Sequence, residues 1–363
     1  MSKGIPKGIH VSPHSFIAVD DKTKNVYLFT LNPPKKQLVW RLPPRKSQYG
    51  NENNDFSKIS YLRFGCKFIP DSYRLFCEAI GPVGGDDYPM YFVSLDLIKQ
   101  QVYYSPFLRD YEEQGGLSYR ISRDILAVME INDGSIFYVF RLPDLKSLLM
   151  KNVEREDNGN YYWTGLIGVS QKGSYILQCR DNGKKRKYRI YNIKKKAFKD
   201  FDSPLQETAV PTGFVNDRRI LFLDENKGYL VDIEGKEIPT TAFDLPPISS
   251  SMHYDLFIKL YRYYLFYQRS NEDVSMPEVL FIFDSKKGTL DHLDINLNEY
   301  HHIEQIRISA DTESLLIQAF YVVNNKGHND WYLWESRKLK NVTDKVNKLL
   351  GDMELWNYRA SGF

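Results

Sequence analysis

Residues 117–153 read LSYRISRDILAVMEINDGSIFYVFRLPDLKSLLMKNV, and four short strands can be marked along them. Tyr119-Arg-Ile-Ser ends in a turn, Ile125-Leu-Ala-Val-Met is a continuous apolar run, Ile136-Phe-Tyr-Val-Phe is an aromatic strand, and Ser147-Leu-Leu-Met follows a tight polar turn. Runs of this length, rich in β-branched and aromatic residues and bounded by turn signals, read as strands. The same order recurs upstream. Residues 57–108 carry Leu62-Arg-Phe, Arg74-Leu-Phe-Cys, Met90 to Asp96 and Gln101-Val-Tyr-Tyr, and residues 9–44 carry Ile9 to Pro13, Phe16-Ile-Ala-Val, Val26-Tyr-Leu-Phe and Leu38 to Leu42. Downstream, blade-like copies cover residues 164–203, 212–245, 254–296 and 303–344.

Their second strands are Tyr175 to Cys179, Arg219 to Leu223, Tyr264 to Tyr267 and Ser314 to Gln318, and their third strands are Lys187 to Tyr191, Gly228 to Asp232, Val279 to Asp284 and Trp331 to Glu335. A period of about 45 residues with four strands per copy is a propeller signature. The expected fold is therefore all-β, a seven-bladed β-propeller of four-stranded antiparallel blades forming a single domain over residues 1–363. A β-sandwich followed by a second β domain would not repeat four strands seven times. The tail, residues 345–363, opens on Val346, Leu349, Leu350 and Met353, whose spacing suits a short helix packed on the blades. Leu355-Trp356-Asn357-Tyr358 is a candidate closing strand.

Composition agrees with a β fold: 14% of the residues are aromatic, including 26 Tyr and 21 Phe. The net charge of +3, from 49 basic and 46 acidic residues, is far from the field of a dedicated nucleic-acid binder. Cys66, Cys77 and Cys179 are too few for a disulfide framework, so they read as small buried apolar residues in a reducing compartment. Neither a signal-peptide core after Met1 nor an apolar run of membrane-spanning length is present, which makes a cytoplasmic protein with no membrane span the expectation.

The repeat resembles the WD40 and TolB-like propeller superfamily over about residues 9–344. In that superfamily a Ser-Pro-Asp-Gly-like turn joins the first two strands of a blade. Ser12-Pro13, Ser122-Arg123-Asp124, Ser170 to Gly173 and Ser309-Ala310-Asp311 fall there in this sequence. At the superfamily's Trp-Asp place stand Leu95-Asp96, Val231-Asp232, Phe283-Asp284 and Trp334-Glu335, while no Trp-Asp dipeptide and no Gly-His pair occur. The resemblance implies a propeller scaffold and brings no catalytic residue set. It also implies closure through the first and last blades, although the first copy has four expected strands of its own.

In four-stranded blades the links between strands one and two, and three and four, lie at one end, where Ser122 to Asp124, Asn192 to Lys195 and Ser285 to Gly288 are short. At the other end the expected links are long: residues 81–89, 181–186, 270–277 and 322–330 within blades, and 45–58, 109–117 and 154–163 between them. Long links in a compact fold are more often functional. They carry Tyr49, Arg109, Tyr111, Arg155, Tyr161, Tyr162, Trp163, Tyr300 and His301, types enriched at interface hot spots, so this end is the expected binding surface for a protein or peptide partner. For Tyr162 and Trp163 the competing reading is burial between blades.

Chemical motifs add little. His301 and His302 are adjacent and point to opposite faces of a strand, and His10 and His253 have no ligand spacing with them, so no metal or cofactor is expected. Lys184, Lys185, Arg186 and Lys187 could touch nucleic-acid phosphates, but a solvated hairpin explains them as well. The Gly81 to Asp87 segment has no following helix and reads as a turn, and no nucleophile elbow or carboxylate pair implies catalysis. The expected function is a non-catalytic binding scaffold. The alternative is an enzyme or small-molecule or glycan binder working from the central channel.

Overall fold

The computed structural model describes residues 10–41, 61–80, 90–105, 117–130, 136–181, 186–245, 252–270, 279–293 and 301–353, less residues 21, 22, 24, 70, 71, 156–158, 160–162, 164, 203, 204, 206, 207, 225, 226, 261, 325 and 352. In chain order the first sheet is β1 (Phe16–Val19), β2 (Asn25–Leu31) and β3 (Pro34–Arg41). The second is β4 (Tyr61–Ile69), β5 (Arg74–Ile80), β6 (Met90–Asp96) and β7 (Gln101–Tyr104), and the third β8 (Leu117–Ile121), β9 (Ile125–Glu130), β10 (Ile136–Arg141) and β11 (Lys146–Asn152). The fourth is β12 (Gly165–Val169), β13 (Tyr175–Asp181), β14 (Arg186–Asn192) and β15 (Ala197–Phe201). The fifth is β16 (Val210–Phe214), β17 (Arg219–Asp224), β18 (Lys227–Asp232) and β19 (Glu237–Asp244), and the sixth β20 (Met252–Leu260), β21 (Tyr263–Ser270), β22 (Val279–Asp284) and β23 (Thr289–Leu293). The seventh is β24 (His301–Ile308), β25 (Ser314–Val323), β26 (Lys326–Glu335) and β27 (Lys338–Asn341), followed by helix α1 (Thr343–Leu350).

Each sheet is antiparallel in sequence order, and the chain is an all-β, seven-bladed β-propeller by fold class. It divides into two compact units. One contains residues 1–114, 143–145 and 297–360, with the first, second and seventh blades; the other contains residues 115–142, 146–296 and 361–363, with the third to sixth.

The first sheet departs from the expected four strands. His10 to Ser12 form no strand, Ile9 lies outside the described residues, and three strands remain. β1 follows the Ser12 to Ser15 turn as β9 follows Ser122, so it occupies the second place in its blade. The candidate closing strand at Leu355 to Tyr358 lies outside the described residues. The expected helix is present: α1 buries Val346 and Leu350 among Phe16, Ala18, Phe29, Leu31, Trp331 and Leu333, and so sits over the junction of the first and seventh blades.

The core is a series of layers between neighbouring sheets. Ile125, Ala127, Met129 and Phe137 of the third blade meet Leu166, Val169 and Ile176 of the fourth, and Leu177, Tyr188 and Ile190 meet Phe214, Ile220 and Phe222 of the fifth. A second strand covered on both faces has no wet side, which explains the unbroken apolar run and the complete burial of β9.

The residues that carried the resemblance hold the turns. The Ser170 hydroxyl accepts from the amides of Ser174 and Tyr175 at 2.9 and 3.0 Å, and the Ser309 hydroxyl accepts from Ser314 at 3.0 Å. Gly173 adopts a positive φ of 69°, and a Cβ there would lie 2.5 Å from the Ile125 side chain, so both conformation and space require glycine. At the third strand's end, Asp96, Asp232 and Asp284 each accept amides from the following turn. Asp96 also pairs with Arg74 at 3.4 Å, and Asp284 with Arg262 at 3.4 Å. An aspartate at the Trp-Asp place thus does two jobs that sequence can show only as a recurring acid.

The cysteines are not alike. Cys77 is buried and disulfide-bonded, with Cys66 as its cross-strand neighbour, whereas Cys179 is not in a disulfide. Eleven residues apart on consecutive strands, Cys66 and Cys77 became opposite residues through strand register. This corrects the reading of all three as plain apolar groups and weighs against the reducing compartment inferred from them.

Burial raises the Tyr264 phenol well above the ordinary tyrosine value of 10.0, with its hydroxyl donating to the Phe214 carbonyl at 3.1 Å. A group whose proton is held more tightly when folded contributes stability fully present below pH 10 and lost as pH rises further. Urea unfolding is therefore expected to show stability declining above about pH 10 by roughly 1.4 kcal/mol per pH unit from this tyrosine. Tyr264→Phe should flatten that decline. A decline that persists unchanged in the variant would refute the assignment.

Candidate functional site

The links at the two ends of the blades differ only in part as expected: those at the opposite end include long ones, but the expected long link 181–186 leaves just four residues between Asp181 and Arg186, and Asp224 and Lys227 are separated by two. At the turn end they run from the two residues between Leu260 and Tyr263 to the five between Ile308 and Ser314. Neighbouring blades are stitched there. In one unit the Gln171 side-chain amide donates to the Val215 carbonyl at 2.8 Å and the Lys172 amide to Asp217 at 2.8 Å; in the other the amides of Ala310 and Asp311 donate to the carbonyls of Ser15 and Pro13, each at 2.9 Å. These groups are spent on neighbouring blades.

The opposite end carries the links 42–60, 81–89, 105–116 and 153–164. One expected link there is not a loop. β25 and β26 continue to Val323 and Lys326, joined by a two-residue turn, so the segment 322–330 is mostly hairpin. Tyr321 and His328 are cross-strand partners with rings stacked 5.2 Å apart. The Asp330 carboxylate interacts with the phenols of Tyr321 and Tyr332 and accepts from the Thr343 hydroxyl at 3.3 Å. Burial raises both phenols, and Asp330 raises them further. Sequence offered no signal for this cluster, because Lys326 to Asp330 hold no apolar residue and the alternation that marks a strand disappears.

The link 153–164 has the best-defined base. Arg189 of β14 is buried, and its guanidinium lies 4.3 Å from the Trp163 ring centroid and 4.0 Å from that of Phe198. Its Nε donates to Gln178 at 2.8 Å, and Nη1 meets the Glu154 carboxylate at 3.3 Å. Desolvation lowers the Arg189 pKa, and Glu154 opposes the shift. Residues 154 and 163, at the two ends of one link, therefore converge on a single arginine. The intervening chain leaves and returns at fixed points.

Of the expected partner-binding residues, Arg155 is exposed within this link. Trp163 is only 4% exposed and packs in the layer between the third and fourth blades, so burial, not surface contact, is its place. His301 opens β24 opposite Tyr321. Tyr49, Arg109, Tyr111, Tyr161, Tyr162 and Tyr300 lie outside the described residues. So do Lys184 and Lys185, while Arg186 and Lys187 are exposed at the start of β14, the end opposite the exposed Lys194 to Lys196 turn. His10 is exposed; among the described residues no three His, Cys, Asp or Glu side chains come together as a metal site. No helix among the described residues is long and apolar enough to cross a membrane.

No protein-family model matches the chain, and no curated protein does. Solved structures similar to it include an acylaminoacyl peptidase of Pyrococcus horikoshii, at 12% identity over 77% of this chain and 46% of that one, with a TM-score of 0.46. TolB from Acinetobacter baumannii is 8% identical over 90% of this chain and 62% of that one, with a TM-score of 0.37. The β-propeller domain of the Trilobed protease from Pyrococcus furiosus is 15% identical over 77% and 83%, with a TM-score of 0.44. The match spans 46% of the peptidase and 62% of TolB.

Proposed function

We propose that the chain is one propeller domain over residues 1–363 and serves as a non-catalytic scaffold, presenting the long-link end of its blades to a protein or peptide partner. The observation that carries this reading is the Arg189 clamp. Ordering a loop on binding costs conformational entropy, and a loop whose ends are already fixed presents Arg155, Tyr161 and Tyr162 at lower cost. The stitched turns at the other end favour the same choice of surface. The disulfide at Cys77 favours an oxidising compartment over the cytoplasm expected from the cysteine count.

The test is affinity capture from the native source with the full chain. The wild type is expected to retain a stoichiometric partner, the combined Tyr161→Ala, Tyr162→Ala variant to lose at least about tenfold in affinity, and Lys172→Ala at the stitched end to bind normally. Equal retention by all three would overturn the choice of surface.

A further inference from the structure

Two arginines occupy the same place in different blades. Arg120 in β8 pairs with Ala127 and precedes Ser122 by two residues, and Arg307 in β24 pairs with Leu316 and precedes Ser309 by two. Each reaches the neighbouring blade's backbone: Arg120 Nε donates to the Ile167 carbonyl at 3.0 Å, and Arg307 Nη1 donates to that of Ile17. Their other nitrogens differ. Arg307 Nη2 donates to Gln305 Oε1 at 2.6 Å, and Gln305 is itself bonded to Gln318. In the third blade Ser118 stands where Gln305 stands in the seventh, and Met129 stands where Gln318 does.

A serine side chain is too short to reach that guanidinium. Arg120 Nη1 turns back to the Tyr119 carbonyl at 2.8 Å, and Nη2 has no hydrogen-bond partner among the described residues, nor does the Ser118 hydroxyl. No carboxylate among the described residues pairs with Arg120. Burial lowers its pKa, only partly offset by Tyr119 and Cys179. The residue stays partly accessible, since β8 and β12 are edge strands of their sheets and Arg120 bridges the two edges.

We infer that Arg120 and Ser118 form an oxyanion site on the edge strands of the third and fourth blades, taking a carboxylate or phosphate oxygen where the seventh blade supplies Gln305. A guanidinium nitrogen and a hydroxyl two residues apart on one strand are two donors for a single oxyanion, and charge-assisted bonds from an arginine are the strong kind. The site lies apart from the proposed partner surface and does not depend on it.

The experiment is thermal unfolding of the full chain in chloride buffer, then at matched ionic strength with inorganic phosphate or with acetate. At a hundredfold excess over its Kd the preferred anion should raise the wild-type Tm by about 4 °C. Which of the two does so identifies the ligand class. Ser118→Gln supplies the missing internal acceptor while keeping the guanidinium, and should abolish the increment without lowering the Tm in chloride. Arg120→Gln should also abolish it, and exposed Arg218→Gln should retain it in full. No increment with either anion, or an increment surviving in Ser118→Gln, would overturn the inference. If Arg120→Gln fails to fold, Ser118→Gln still decides.

Discussion

Asp284→Ala is expected to destabilise the protein by about 3–5 kcal/mol in urea unfolding, the usual cost of removing one partner of a buried ion pair. Arg262 is 1% exposed and Asp284 is fully buried. The guanidinium donates to the Tyr263 hydroxyl at 2.6 Å and lies 4.7 Å from that ring's centroid, so it cannot swing into water without leaving a gap. Removing the carboxylate would take the ion-pair partner from a buried guanidinium and also free the Lys286 and Lys287 amides that Asp284 Oδ1 accepts. Replacing both partners, as Arg262→Met with Asp284→Ala, should cost less than Asp284→Ala alone, because the penalty lies mainly in a buried charge that has lost its ion-pair partner. Asp96→Ala is the internal comparison, since its partner Arg74 is 22% exposed and can rehydrate. A loss below about 1 kcal/mol in Asp284→Ala would refute this account.

Trp163→Ala should cost about 3–5 kcal/mol, as for other large-to-small aromatic changes in a core. Part of that is packing against Val153, Leu166 and Phe137, and about 1–2 kcal/mol belongs to the desolvated cation over the ring. Arg189 would keep Phe198 and Gln178 but lose one wall of its slot. Glu154→Gln removes the other anchor of the same link, yet Glu154 is 54% exposed, so no more than about 1 kcal/mol is expected. The two variants separate packing from charge. Equal losses would mean that the ion pair, not the indole, holds Arg189.

The repeat was legible because covered second strands such as Ile125 to Met129 and aromatic third strands such as Ile136 to Phe140 keep their patterns whatever the links do. The α1 stripe was legible for the same reason, with Val346 and Leu350 on one side. Sequence failed where the decisive contact is long-range. Trp163 follows Asn160, Tyr161 and Tyr162 and looks like part of a wet loop, yet its slot is made by Arg189. Register set Cys77 opposite Cys66, and sequence distance alone does not reveal register. The hairpin at 322–330 was missed because its second strand opens on Lys326-Gly-His-Asn-Asp, which has no apolar residue and reads as a loop. Arg120 and Arg307 are both written Arg-Ile-Ser, and what distinguishes them is the residue two places earlier and its cross-strand partner.

Every described sheet is built from one unbroken stretch of chain, and the last strand, β27, stays in its own sheet with β26. A gene duplication or deletion that copies or removes one repeat would then add or subtract a complete sheet, leaving no half-blade behind. The side chains that join blade to blade would bear the adjustment, since Gln171 and Arg120 reach mainly for backbone carbonyls that any incoming sequence would supply. Such a scaffold can change its number of repeats without redesigning its joints.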